Sequence, residues 1–219
     1  MKHVRIWFSK TGTAKYISHL DLNRCMSRAV HKAKLPLWYT EGFHPHAFLT
    51  FALPLSLGAE GLRESMDIKM EEDLCPEEIR DRLNAALPPD IRVLDVTEPV
   101  MKPGQIAWAS YLVELEPEEG ESGESLAEKL RSLLGQPAIL VEKRSKSGVK
   151  TVDIRPGIQE AEIEPAGECV RLRLMLPAGS TENINPSLVV EALRADTGAS
   201  CFARITRTGL YNAERIPFA

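Results

Sequence analysis

The chain has 219 residues, 43% hydrophobic and 26% charged, with a formal net charge of −4. That length suits one large domain or two of about 100 residues each. No apolar run approaches the roughly 20 residues of a membrane helix. The opening Met1-Lys2-His3-Val4-Arg5-Ile6-Trp7-Phe8 lacks the apolar core of a secretion signal, so a cytoplasmic protein without a membrane partner is expected. Cys25, Cys75, Cys169 and Cys201 are scattered singly. This spacing excludes an iron–sulfur motif, a zinc knuckle or a redox pair and reads as buried free thiols.

The elements follow in chain order. Val4, Ile6 and Phe8 alternate with Arg5 and Trp7, the pattern of a half-buried strand. Ser18 with Asp21 three residues on resembles a capping box, and Leu22, Cys25, Met26, Ala29, Val30 and Ala33 continue at helical spacing until Pro36. Arg24, Arg28 and His31 form a stripe on another face of that helix. Strands are predicted at 48–53 and 66–70, a helix from Pro76 to Leu87, and a strand at 91–96. Residues 101–105, with Pro103-Gly104, read as a linker. Beyond it come a strand through Tyr111, Val113 and Leu115, a helix at 125–134 stopped by Gly135, and strands at 139–141, 149–154 and 170–176. Asn185-Pro186 then starts a helix that Gly198 ends, and 201–206 is the closing strand.

Both halves therefore have the order β-α-β-β-α-β. The expectation is an α+β protein of tandem ferredoxin-like domains with antiparallel sheets, residues 1–100 and 107–219, the second carrying a basic inserted arm at about 143–164. Fold of this kind hosts RNA binders, enzymes and regulators alike and decides no function by itself.

Charge is segregated. Residues 1–40 hold eight Lys or Arg and one acid, Asp21, while 114–128 hold seven Glu and no base. All five histidines, His3, His19, His31, His44 and His46, lie in the first 46 residues. Imidazole donates, accepts and ligates near neutral pH, so the candidate site is there. In Glu41-Gly42-Phe43-His44-Pro45-His46, extended backbone puts His44 and His46 on one side, a spacing compatible with a metal. A polar substrate site and a structural turn are the alternatives. His19 and Asp21 stand two apart in a first helical turn and share no face, so Asp21 reads as a cap and His19 as free to face the loop. Ser9-Lys10-Thr11-Gly12-Thr13 lacks the full phosphate-loop pattern, but Lys10 and Lys15 are placed to hold a phosphodiester by charge. The candidate substrate residues are thus Lys10, His19, Asp21, Arg24, Glu41, Gly42, His44 and His46. Lys143, Arg144, Lys146, Lys150 and Arg155 make a basic hairpin suited either to a nucleic-acid backbone or to solvent.

Four segments together resemble a known family: Phe8-Ser9-Lys10-Thr11-Gly12, Tyr16-Ile17-Ser18-His19-Leu20-Asp21-Leu22, the 41–46 loop, and Phe51-Ala52-Leu53-Pro54-Leu55. These are similar to the bacterial radical-SAM-linked proteins, an uncharacterised domain found alone or joined to a radical SAM protein with a cobalamin-binding-type region. Val152-Asp153-Ile154-Arg155-Pro156 and Asn185-Pro186 extend the match over most of the chain. His19, Asp21, Gly42, Pro45 and His46 fit the family pattern, whereas His44 and Ala47 stand where it has Asn and Pro. The resemblance implies a radical SAM partner that carries the S-adenosylmethionine and the iron–sulfur cluster, with no cofactor in this chain. The expected function is an accessory module that presents a substrate, RNA such as tRNA or rRNA, to that enzyme. The alternatives are a metal-independent ribonuclease using His19 or His46 as acid or base, and a protein–protein scaffold.

Overall fold

The computed structural model describes residues 2–41, 43, 45–145, 148–179 and 182–219. The chain is α+β and divides into two compact units, Met1–Ile106 with Ile216–Ala219, and Ala107–Arg215.

The first unit runs β1 (Lys2–Lys10), α1 (His19–Lys32), β2 (Leu49–Phe51), β3 (Glu60–Met70), α2 (Pro76–Ala86) and β4 (Ile91–Thr97). Strand β1 is antiparallel to β3 on one side and to β4 on the other, and the short β2 pairs with β3. Val4, Ile6 and Phe8 project into a core shared with Leu22, Met26 and Val30 of α1 and Ile79 and Leu83 of α2. The sequence makes these helices amphipathic and starts them cleanly. Ser18 Oγ accepts the Asp21 N–H at 3.1 Å, and Pro76, with no N–H to lose, opens α2.

The other face of β1 departs from expectation. Arg5 and Trp7, predicted on an exposed side, are 0% and 2% exposed. The cause lies far along the sequence. Residues Ile216–Ala219, predicted within the second domain, belong to this unit. Phe218 meets Trp7 edge-on at 6.1 Å and lies beneath the Arg5 guanidinium at 4.3 Å. Arg5 also donates to the backbone oxygens of Ala219 (2.7 Å) and Met101 (2.8 Å). Its Nε and second Nη grip the two carboxylate oxygens of Asp67, directly opposite on β3, at 2.7 and 2.8 Å.

The second unit runs β5 (Trp108–Pro117), α3 (Gly123–Leu134), β6 (Leu140–Ser145), β7 (Gly148–Asp153), β8 (Glu160–Ala166), β9 (Cys169–Pro177), α4 (Ser187–Thr197) and β10 (Cys201–Tyr211). Here β5 lies between β10 and β9, and β8 pairs with β9, all antiparallel. Val113, Leu115, Leu172 and Leu174 are buried, as are Leu126 and Leu130 of α3 and Val189 and Leu193 of α4. Gly198 closes α4 in the left-handed conformation, φ 65°.

The basic arm is corrected. It is a two-stranded hairpin of its own, β6 with β7, and the strand beside β9 is β8, which covers most of the predicted arm's end. Its sequence Glu-Ala-Glu-Ile-Glu-Pro-Ala places glutamates and a proline on an exposed strand, so it lacks the apolar alternation by which strands are recognised.

The Arg5–Asp67 pair yields a direct test. Asp67→Ala leaves a buried guanidinium without its counter-ion and is expected to cost about 3–5 kcal/mol of unfolding free energy, measured in urea. A loss within the 0–1 kcal/mol typical of exposed pairs would contradict the assignment.

Candidate functional site

The start of α1 is a dense set of local bonds. Ser18 Oγ–H donates to Asp21 Oδ2 at 2.7 Å, and Arg24 reaches Asp21 Oδ1 at 3.0 Å. The Ser18 hydroxyl, and after it the Arg24 guanidinium, holds the Asp21 carboxyl below the usual carboxylate range. Asp21 is therefore tied into the helix start beside the N-cap Ser18, as its position suggested. The preceding 3-10 turn, Gly12–Tyr16, is fixed by Asp90, which accepts from the Thr13 N–H at 2.8 Å and from its hydroxyl. Gly12 is required there, because φ is +54° and a Cβ would lie 2.9 Å from the Asp90 carboxylate.

Lys10 is not a substrate contact. It is 2% exposed and donates to the carbonyls of Lys15 (3.3 Å) and Ile17 (3.4 Å), holding that turn against the end of β1. Lys15 pairs with Glu60 at 3.3 Å.

Among the described residues, no contact joins one histidine to another. His19 sits at the start of α1, edge-on to Phe51 at 5.1 Å, and its Nδ1 is buried with no hydrogen-bond partner among the described residues. His46 is bound to Thr40, with Nδ1 3.0 Å from the Thr40 hydroxyl and its N–H donating to the same oxygen at 3.1 Å. Next to Thr40, Tyr39 bridges to Ala47 and places its hydroxyl 3.2 Å from His31 Nδ1. His31 stands at the other end of α1, about 18 Å along the axis from His19 at 1.5 Å per residue. No described contact joins His46 to His19: His46 is tied to Thr40, and His19 packs against Phe51. Gly42 and His44 lie outside the described residues, so the His44–His46 metal idea falls there too. Among the described residues no group of three or more His, Cys, Asp or Glu converges as a metal site. Glu41 is exposed, and Phe43 at the loop tip is wholly exposed.

What does converge is a cationic row. Arg24, Arg28 and Lys32, at i, i+4 and i+8 of α1, line one cleft of about 340 Å³ with Asp21, Cys25 and Ala86 of α2. Arg24 is partly neutralised by Asp21, whereas no described ion pair or hydrogen bond engages the side chains of Arg28 and Lys32, both exposed. Burial pushes the Cys25 thiol up, against the pull of Arg28, which disfavours its thiolate. The sequence stripe named His31 in place of Lys32. The i+4 spacing from Arg28 marks Lys32, while His31 turns aside to Tyr39. The segment that follows is aromatic: Trp38 and Phe48 approach edge-on at 6.5 Å, Lys69 lies 4.0 Å over Trp38, and His3 abuts Phe48.

In the second unit the predicted basic set is dispersed. Lys143 faces Lys150 across the hairpin and donates to the Asn183 carbonyl at 2.9 Å. Arg144 pairs through its backbone with Val149. Lys146 lies outside the described residues. Arg155, beyond β7, donates instead to the Ile158 carbonyl at 3.0 Å. Of the four thiols expected to be buried, Cys201 is, Cys25 and Cys169 are half-buried, and Cys75 is exposed at the start of α2.

The chain belongs to a bacterial family described as "Uncharacterized protein conserved in bacteria" (DUF2344), whose model matches residues 3–186. No curated protein matches its sequence. Among solved structures, it is similar to a chain in the "Crystal Structure of a Cbf5-Nop10-Gar1 Complex", at 12% identity and a TM-score of 0.52. The likeness covers 94% of this chain and 48% of that one, so the chain spans about half its length, and at this identity only the fold is shared. A second similar structure, an unknown protein from Galdieria sulphuraria, has 13% identity over 93% of this chain and 98% of that one, but a TM-score of 0.27, too low to bear on the fold.

The α1 cap sets a pH test. A carboxyl whose folded pKa is depressed stabilises above its unfolded pKa and loses that contribution as pH falls through the folded value. The Asp21 side chain, followed by NMR, should titrate below the usual carboxylate range, and Ser18→Ala should move the midpoint up. A midpoint at the ordinary value in the unmodified chain would contradict the Ser18–Asp21 bond.

Proposed function

We propose that this protein is a non-catalytic accessory module that binds RNA and presents it to a radical SAM enzyme. The observation that carries the RNA reading is the row Arg24, Arg28 and Lys32 along one helix face, lining a single cleft. Consecutive cations on a rigid helix match the repeated charge of a phosphate backbone. The exposed Phe43 and the Trp38–Phe48 pair supply faces on which unpaired bases stack. The first unit has the order β-α-β-β-α-β, and the second has it with the separate β6–β7 hairpin inserted after α3; we read each as ferredoxin-like, an architecture common among RNA binders. The radical SAM partnership, with S-adenosylmethionine and the iron–sulfur cluster on the partner, rests on the sequence resemblance alone. The ribonuclease alternative rests on His19 or His46 as acid or base, and no described contact brings the two together.

The test is RNA affinity as a function of salt. Binding of a single-stranded RNA should weaken linearly on a log–log scale, and Arg24→Gln, Arg28→Gln and Lys32→Gln together should reduce the slope by about 2, at roughly 0.7 per lost phosphate contact. No binding at low salt with the radical SAM enzyme present, or a slope unchanged by the three substitutions, would reject the reading. Histidine-dependent RNA cleavage by the pure chain would replace it with the nuclease.

A further inference from the structure

The second unit holds a cleft of about 370 Å³ between the C-terminal end of α3 and the start of β8, lined by Arg131, Arg155, Gln159, Leu134, Ile158 and Ile163, with Gly135 and Ala161 completing it. Its charge separates it from the other clefts. The larger depression on the open sheet face contains Arg173 beside Glu160 and Glu162, the one by the hairpin has Glu142 and Glu191 with Lys143, and the α1 cleft includes Asp21. Among the described residues, no carboxylate lines the Arg131–Arg155 cleft.

From this we infer that the cleft is a binding site for a phosphomonoester carried on a planar or apolar body, such as a nucleoside monophosphate or the 5′ end of an RNA. Two guanidiniums match the double charge of a phosphomonoester, and their planar donor forks match its oxygens. Arg155 is half-buried and held from behind, with one Nη on the Ile158 carbonyl and its N–H on Asp153 Oδ1 at 3.0 Å, so little ordering remains to be lost on binding. No ion pair of Arg131 is described. Gln159 is oriented too. Its Oε1 accepts from Arg215 at 2.6 Å, which leaves its amide N–H groups as donors. Ile158, Ile163 and Leu134 are the apolar wall against which a base or other flat body packs. The volume falls within the range of about 300–1,000 Å³ usual for small-molecule sites. The site differs from the α1 row in unit and residues, and it regroups Arg155 away from the hairpin lysines.

The experiment is calorimetric titration of the full chain at low salt with adenosine 5′-monophosphate, adenosine and benzoate, and with one RNA octamer bearing either a 5′-phosphate or a 5′-hydroxyl. The nucleotide should saturate, and adenosine and benzoate should bind at least tenfold more weakly. Arg131 is exposed and makes no described side-chain bond, so Arg131→Gln should keep the melting midpoint while lowering nucleotide affinity about tenfold, the cost of one charge-assisted contact. Arg131→Lys should recover part of the loss. Preference for the 5′-phosphorylated octamer, lost in Arg131→Gln, without nucleotide binding would also support the site and identify an RNA end as its source. Benzoate binding as tightly as the nucleotide would overturn the phosphate assignment. Neither phosphate ligand binding, or binding indifferent to Arg131→Gln, would overturn the site. The nucleotide arm contains no RNA, so its failure is distinguishable from failure of the RNA reading.

Discussion

The first unit is organised around one buried cation. Arg5 is fully enclosed, and its guanidinium binds Asp67 on β3, the backbone at Met101 and Ala219, and the face of Phe218. Burying a guanidinium is unfavourable unless its donors are met, and here partners come from three separate stretches of chain. That requirement brings residues 216–219 back across β1. With both faces of β1 covered, α1 and α2 pack on one side only, and their outer surface is left to solvent. The Arg24–Arg28–Lys32 row depends on this arrangement, since α1 presents its cations along a face that the core does not use.

Charge accounting then separates structural from available cations. Of the eight basic residues in the first 40, Lys2 pairs with Asp73 and Glu98, Arg5 with Asp67 and Lys15 with Glu60, while Lys10 is spent on backbone carbonyls. The remaining four, Arg24, Arg28, Lys32 and Lys34, lie on α1 or just after it. In the second unit the arginines of the sheet face are matched across strands, Arg171 and Arg204 to Glu114, and Arg173 to Glu162 and Glu164. The acidic run at 114–128 is therefore in part a set of internal counter-ions, with Glu121 held by Lys129 as well. Among the described cations with no ion pair described are Arg28 and Lys32 of α1 and, in the second unit, Arg131 and Arg155.

Features set by neighbours in sequence were legible before the structure. The Ser18–Asp21 cap, the apolar stripe of α1, the proline start of α2 and the glycine end of α4 all depend on spacing of a few residues, and each appears as predicted. What depended on distant partners was hidden. Nothing near Arg5 announces Phe218, and the glutamate-rich β8 looks like loop because an edge strand needs little apolar surface. Closeness in sequence also became separation in space for His19 and His31, which stand at opposite ends of a 14-residue helix. Lys10 misled because a lysine beside a glycine-containing turn reads as a phosphate ligand, whereas here the turn's own carbonyls take it. In the candidate site, the helix face was readable and its occupancy by Lys32 followed from arithmetic, but the sorting of free from paired cations required coordinates.

The central claim, that RNA lies along α1 and the aromatic segment after it, is tested most directly by ultraviolet crosslinking of the full chain to cellular RNA, with crosslinked peptides mapped by mass spectrometry. The account predicts crosslinks concentrated in residues 19–48, at Phe43, Trp38 or Phe48 and in the peptides bearing Arg24, Arg28 and Lys32. Crosslinks confined to the second unit, or none above the level of an unrelated protein, would contradict it.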